Sequence, residues 1–328
     1  MWKKGQNALD KSRLATLLCA TDQFPAFTLG RVNAKKQIHM MRMNETRGII
    51  PRLSWMLLAV LAGNCPAEEE RKRPIDGIMD NSFFLEEAYN QEEGVVQHIF
   101  SGLYGWDKFS GAGGRRLDFS FTQEWPAYGQ THQLSYTVPY AFVREGGRWT
   151  DGVGDVLLNY RYQAYFDEKT LTAFAPRFSL VLPTGDKDTG FGNGTTGFQW
   201  NLPFSTTFGD RWFTHANAGL TFLPKAGPRP SHDLLHFNLG GSVIYCVSER
   251  FNLMVEWIGA WNEAAIDSIR VQREFASFIS PGGRYAFNLS SGAQIVAGLA
   301  APFGLTDNVP AIGVFAYFSF EHQLFGKK

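Results

Sequence analysis

The sequence is short of cysteine, carries no excess of charge of either sign, and has no apolar run long enough to cross a bilayer as a helix. Its 328 residues contain three cysteines, at 19, 65 and 246. Only Cys246 lies beyond the processing site argued below, so the exported chain can hold no internal disulfide. Thirty-one Lys and Arg offset thirty-one Asp and Glu, for a formal charge of zero. That balance removes any electrostatic case for nucleic acid or an anionic surface. The apolar run at residues 55 to 63 is too short to span a membrane as a helix. No nucleotide-binding motif, no G-x-S-x-G nucleophile motif and no heptad or alternation of strand with helix occurs, which removes the ATP-driven, Rossmann-like and coiled-coil classes.

The start of the chain reads as an export signal. Residues 43 to 70, MNETRGIIPRLSWMLLAVLAGNCPAEEE, carry Arg47 and Arg52, the apolar run, then Cys65-Pro66-Ala67 before an acidic stretch. This is the order of a secretory signal, with cleavage expected after Ala67. Lipid attachment at Cys65 is the lesser reading, because Asn64 stands where a lipoprotein signal needs a small residue. The expected organisation is an upstream extension over 1 to 42, from a start placed too early, and a signal peptide over 43 to 67. A periplasmic N-terminal segment over 68 to 92 and a barrel over 93 to 328 then follow.

From about residue 93 the dominant period is two. In DVLLNYRYQAYF, residues 155 to 166, Leu158, Tyr160 and Tyr162 share one parity, and Asn159, Arg161 and Gln163 the other. LDFSFTQEW and QLSYTVPYAF alternate in the same way, and similar runs recur to IGVFAYFSFEH near the end. Alternation of this kind gives a strand two chemically distinct faces. About twelve such runs, separated by turns rich in Gly, Asp, Asn and Pro, predict an all-β fold. The expected form is a closed antiparallel up-and-down transmembrane β-barrel, with its aromatic parity toward lipid. One short helix is expected, at NSFFLEEAYNQE, residues 81 to 92. Prolines 139, 176, 183, 203, 281 and 302 fall in or beside strand patterns. A closed barrel has no free edge where a missing N–H is harmless, so bulges or strand ends must take them.

Five phrases together resemble one family: FFLEEAYNQEEGVVQHIF, GVGDVLLNYRY, FSLVLPTGDKDTGFGNGTTGFQWNLPFS, GDRWFTHANAGLTF and SPGGRYAF. In combination they resemble the MetA family of outer-membrane β-barrels associated with phenol-degradation pathways. The likeness spans roughly residues 82 to 322, and its most specific parts are G-x-G-D at 152 to 155 and L-P-T-G-D at 182 to 186. It implies an outer-membrane barrel that transports small hydrophobic or aromatic compounds. It carries over no catalytic residue.

The parity opposite the aromatics supplies the candidate lumen lining: Asp118, Glu124, Asp155, Asn159, Arg161, Arg177, His215, His236, Glu256, Glu274 and Arg284. Charges confined to one parity fit this orientation, since a charge facing the bilayer midplane costs a few kcal/mol. They could line a selective path or form a structural network that closes the interior. The acidic and apolar segment with Phe83, Phe84, Glu86, Glu87 and Tyr89 is a candidate plug, with a place at the periplasmic mouth of the barrel as the alternative. Asp186 and Asp188 lack the bidentate acid of a calcium loop, and His232 and His236 are about 13 Å apart on a strand. No metal and no cofactor is therefore expected.

The expected function is an outer-membrane channel for passive diffusion of small hydrophobic or aromatic solutes, and not an enzyme. Its expected partners are the lipid bilayer, the solute and the outer-membrane assembly machinery. A structural or adhesive barrel with a blocked lumen is the alternative. A lipid hydrolase built on Ser205, His215 and Asn217 is the lesser one.

Overall fold

The computed structural model describes residues 82–106, 115–145, 147–227, 231–265 and 270–324. The expected upstream extension, the signal peptide and residues 68 to 81 lie outside them. Among the described residues the chain forms twelve antiparallel strands, several broken once or twice. They are β1 (Val95–Trp106), β2 (Arg115–Pro126), β3 (His132–Glu145) and β4 (Arg148–Val153, Val156–Tyr162 and Tyr165–Asp167). Next come β5 (Thr172–Phe174 and Arg177–Leu182), β6 (Gly197–Asn201 and Phe204–Phe208), β7 (Trp212–Ala226) and β8 (His232–Ser248). The last are β9 (Phe251–Ala265), β10 (Val271–Asn288), β11 (Gln294–Ala300 and Phe303–Gly304) and β12 (Ile312–Gln323).

Each strand pairs with its sequence neighbours, and β1 pairs with β12 from Val95↔Gln323 to Trp106↔Ile312, so the sheet closes on itself. Closure satisfies every edge, as a strand structure in lipid requires. Turns such as 209–211 and 249–250 lie at the end where β1 begins and β12 finishes. The longer connection 183–196 lies at the other end. Short turns beside the termini mark the periplasmic end of outer-membrane barrels.

The period of two sets which side chains face out. In β4, Leu158, Tyr160 and Tyr162 are 45%, 41% and 43% exposed, while Leu157, Asn159 and Arg161 are 0%, 4% and 2% exposed. The exposed row continues around the barrel through Phe178, Trp200, Phe204, Val243, Val255, Phe275, Val314 and Phe318. The result is an apolar outer surface around a largely polar interior.

The prolines are absorbed without opening the ladder. Pro176, Pro203 and Pro302 stand in the breaks of β5, β6 and β11, and Pro139 and Pro281 lie inside β3 and β10. Each of the five still accepts a cross-strand N–H on its carbonyl: Pro176 from Tyr162, Pro203 from Ala175, Pro302 from Gly313, Pro139 from Gly154 and Pro281 from Ala301. A missing donor is tolerated where the acceptor side of the residue stays paired.

The expected helix is not there. Residues 82–92 form bends and irregular backbone with no helical turn. Helix formation would require N–H to carbonyl bonds four residues apart. Here those N–H groups are spent on the barrel wall. Phe84 and Leu85 donate to Glu256 Oε1 at 2.9 and 3.3 Å, Glu86 to Asn217 Oδ1 at 2.8 Å, Ala88 to Ser205 Oγ at 2.8 Å and Gln91 to Gln133 Oε1 at 2.7 Å. These acceptors stand on β9, β7, β6 and β3, so the segment crosses the interior.

Candidate functional site

Residues 82–94 cross the lumen, and the wall presents them with a polar half and an apolar half. The polar half is built on the inward rows of β3 to β7. There Glu86, buried, places Oε1 3.0 Å from Arg161 Nη1 and Oε2 2.8 Å from Arg177 Nε. Asn201 Nδ2 adds a third donor to the carboxylate, on Oε2 at 2.8 Å. Arg161 spends its remaining donors on the segment: Nε on Asn90 Oδ1 at 2.8 Å, Nη1 on the Glu87 carbonyl at 3.0 Å and Nη2 on the Tyr89 carbonyl at 2.9 Å. Arg177 turns to the wall instead, with Nη1 on Asn159 Oδ1 at 2.9 Å and on Ser179 Oγ, and Nη2 on Gln199 Oε1 at 3.0 Å. The planar fork of a guanidinium suits such divided service. One buried carboxylate therefore holds two buried arginines, and one of those arginines also grips the backbone of the segment.

Asn217 reads the segment at the same point, since its Nδ2 donates to the Glu86 carbonyl at 2.7 Å while its Oδ1 accepts the Glu86 N–H. Tyr89 is buried with its ring edge toward His215 and its hydroxyl donating to the Leu171 carbonyl at 2.6 Å. Burial, with Glu87 nearby, pushes that phenol well above its ordinary range.

The apolar half lies against β8 to β12. Phe83 is fully buried between Phe315 and Tyr317, with ring centroids 5.2 and 5.6 Å away, and Phe84 meets Phe278 and Phe315 at 5.0 and 4.6 Å. Three glycines let the segment approach the wall. A Cβ on Gly298 would stand 2.5 Å from Phe83 Cε1, one on Gly282 2.7 Å from Phe83 Cε2, and one on Gly240 2.3 Å from a Leu85 methyl. Any larger residue at these points would have to displace the segment.

The other candidates named from the sequence are all on the inward parity but do different things. Asp118 pairs with Arg116, whose Nη2 lies 2.7 Å away, and Glu124 accepts Gln133 Nε2 at 2.9 Å. Asp155 pins the connection 183–196 by accepting the N–H groups of Gly185 and Asn193 at 3.0 and 2.7 Å. His236, on β8 near the longer loops, accepts the Glu263 N–H on Nδ1 at 3.1 Å, where the β8–β9 ladder has ended. Glu274 is half-buried and accepts Gln272 Nε2 at 3.0 Å. Arg284 is buried on β10 across from Asn252. Phe83, Phe84, Glu86, Glu87 and Tyr89 all lie in the segment that crosses the lumen.

Ser205 Oγ and His215 Nδ1 do come together, at 2.7 Å. The third member does not join them, because Asn217 is committed to Glu86, and Ser205 Oγ is covered by the Ala88 N–H. Asp186 and Asp188 close a turn, with the Asp188 N–H on Asp186 Oδ1 at 2.9 Å. That bond and the Thr189 hydroxyl hold the exposed Asp186 carboxyl below its usual range. Among the described residues no group of three or more His, Cys, Asp or Glu is placed to hold a metal.

Sequence reasoning missed the inward aromatic pair beside Phe83. Phe315 and Tyr317 face inward while Phe318 and Phe320 lie on the opposite row of β12. The signal was present in IGVFAYFSFEH, which carries aromatics on both parities where most other strands carry them on one.

With this geometry the chain was compared with known proteins. It has the fold of an outer-membrane channel of Pseudomonas putida F1. That structure superposes with a TM-score of 0.58 at 12% identity, over 72% of this chain and 97% of that one. The translocator domain of the autotransporter NalP from Neisseria meningitidis follows at a TM-score of 0.43 and 11% identity, over 71% of this chain and 89% of that one. The first of these exceeds 0.5, and at that identity the likeness is one of fold. No protein-family model and no curated protein matches the chain.

Proposed function

We propose that the protein is a channel of the bacterial outer membrane for passive diffusion of small hydrophobic or aromatic solutes, held shut in this conformation by residues 82–94. One observation carries the reading: the segment that fills the lumen is attached by side chains rather than by the ladder. Residues 82–92 are bonded to the wall through Glu256, Asn217, Ser205, Arg161 and Gln133, whereas the backbone ladder that closes the barrel is joined only from Gly94, whose carbonyl accepts the Leu324 N–H beside the first β1–β12 pair. A segment docked in this way can leave without opening the sheet. The apolar half of the wall favours apolar solutes, since polar ones would lose hydration there without recovering hydrogen bonds. The inward rows from Asp118 to Arg284 then line the path or brace it. The MetA-family resemblance points to the same class of cargo, and the chain would reach the membrane through the general outer-membrane assembly machinery.

The burial of Glu86 between two arginines favours a second reading, a barrel kept permanently closed for structural reasons. Planar-bilayer recordings separate the two. A chain lacking residues 82–92 should refold as a barrel and show discrete conductance steps that the intact chain shows rarely. A deletion variant that inserts yet never conducts would sink the channel and leave the structural barrel.

A further inference from the structure

We propose that Phe83 is a built-in occupant of a binding pocket for a single aromatic ring, so that a monocyclic arene opens the lumen by competing with the protein's own side chain. The inference rests on the channel reading for its use, but the pocket is defined by the wall alone. Its floor is two glycines on neighbouring strands, Gly282 on β10 and Gly298 on β11, at which any Cβ would come within 2.7 Å of the Phe83 ring. Its sides are Phe315 and Tyr317, tilted at 46° and 45° to that ring in the range where aromatic pairs attract. The stem of Arg284 closes the edge beside Gly298. Phe83 fills this space completely, with no exposed surface.

A wall that merely needed to pack against a plug could present ordinary aliphatic side chains. Instead, glycines on adjacent strands and an aromatic pair on a third receive the Phe83 ring. A free arene of that size makes the same contacts without the chain entropy of ordering a segment. Ring and segment cannot occupy the slot together. Arene binding therefore shifts the closed-to-open equilibrium by its differential affinity for the open state.

The test uses Ser82 and Ser242, whose Oγ atoms lie 2.8 Å apart when Phe83 is seated. In a full chain with Cys19, Cys65 and Cys246 changed to serine, the pair Ser82→Cys and Ser242→Cys reports closure by its rate of disulfide formation. Fluorobenzene, followed by ¹⁹F NMR, is the probe, with 1-fluoronaphthalene as the two-ring control. Saturating fluorobenzene should slow the disulfide about tenfold, and the naphthalene should do so far less. In Phe83→Ala, fluorobenzene should bind without slowing the disulfide, because ring and segment no longer compete. In Gly298→Ala, closure should be slow from the outset and indifferent to the probe. An unchanged rate in the parent, equal slowing in Phe83→Ala, or parent-like closure in Gly298→Ala overturns the proposal. These results are independent of conductance: released variants that conduct without any fluorobenzene effect refute the pocket alone. Displacement by fluorobenzene without conductance in any released variant refutes the channel alone.

Discussion

At the scale of single residues, Glu86 is where the closed state is most concentrated. Its carboxylate is shared by Arg161 and Arg177, and all three side chains are buried. A buried ion pair need not stabilise relative to apolar residues, but removing one partner leaves an uncompensated charge, at about 3–5 kcal/mol. Glu86→Gln should therefore shift the closed-to-open ratio by roughly a hundredfold or more, read as open probability in a bilayer. The urea midpoint of the barrel should move little, because no ladder bond uses Glu86. Unchanged open probability would remove the latch. Ser205→Ala acts in the same direction but less strongly. It leaves the Ala88 N–H buried without its acceptor, at about 1–3 kcal/mol. If Ser205 and His215 were instead a hydrolytic pair, the wild-type chain would release fatty acid from phospholipid vesicles and Ser205→Ala would not. The expectation here is that neither does.

At the scale of elements, the strands were legible in the sequence and the crossing segment was not. Alternation is a local property, so the outward row of Leu158, Tyr160 and Tyr162 and the inward row of Asn159 and Arg161 could be read directly. What residues 82–92 do is decided elsewhere. Their acceptors, Gln133, Ser205, Asn217 and Glu256, lie far along the chain, and no local pattern announces that four strands will supply the bonds a helix would make for itself. Neither the path of residues 82–92 across the interior nor the surroundings of Phe83 at Phe315, Tyr317 and Gly298 could be read from a local pattern. The connection 183–196 is a further element, held to the wall chiefly by side chains. Asp155 accepts two of its backbone N–H groups and Asn193 Nδ2 at 2.9 Å, and Phe191 packs into the wall against Ala141 and Val143. Asp155→Ala should free this connection and raise the rate of tryptic cleavage after the half-buried Lys187 several-fold, with the barrel still folded. Cleavage at the parent rate would mean that Phe191, with the bonds of Thr184 and of the Asn193 carbonyl, suffices to hold it.

At the scale of the whole molecule, the bilayer reading rests on one apolar belt running around a closed sheet, and it can be tested by depth. Val255 is an outward residue of β9 four residues in from its first residue, Phe251, opposite Val243 and Pro281, whereas Val271 opens β10 at the end of the longer connections. Both are exposed and apolar, so in water an arginine at either would be nearly neutral. In a membrane the two differ, because an arginine facing lipid costs about 2–4 kcal/mol at the midplane and about 0–1 kcal/mol near the interface. Val255→Arg should therefore lower the urea stability of the barrel in phosphatidylcholine vesicles by the larger amount, and Val271→Arg by little. An inward control at comparable depth, Met254→Arg, would crowd the buried interior that Phe84 and Leu85 enter, so its effect should depend on whether the plug is present. Equal costs at 255 and 271 would place the belt outside a bilayer. A cost at 255 that persists after the plug is deleted ties it to lipid rather than to the lumen.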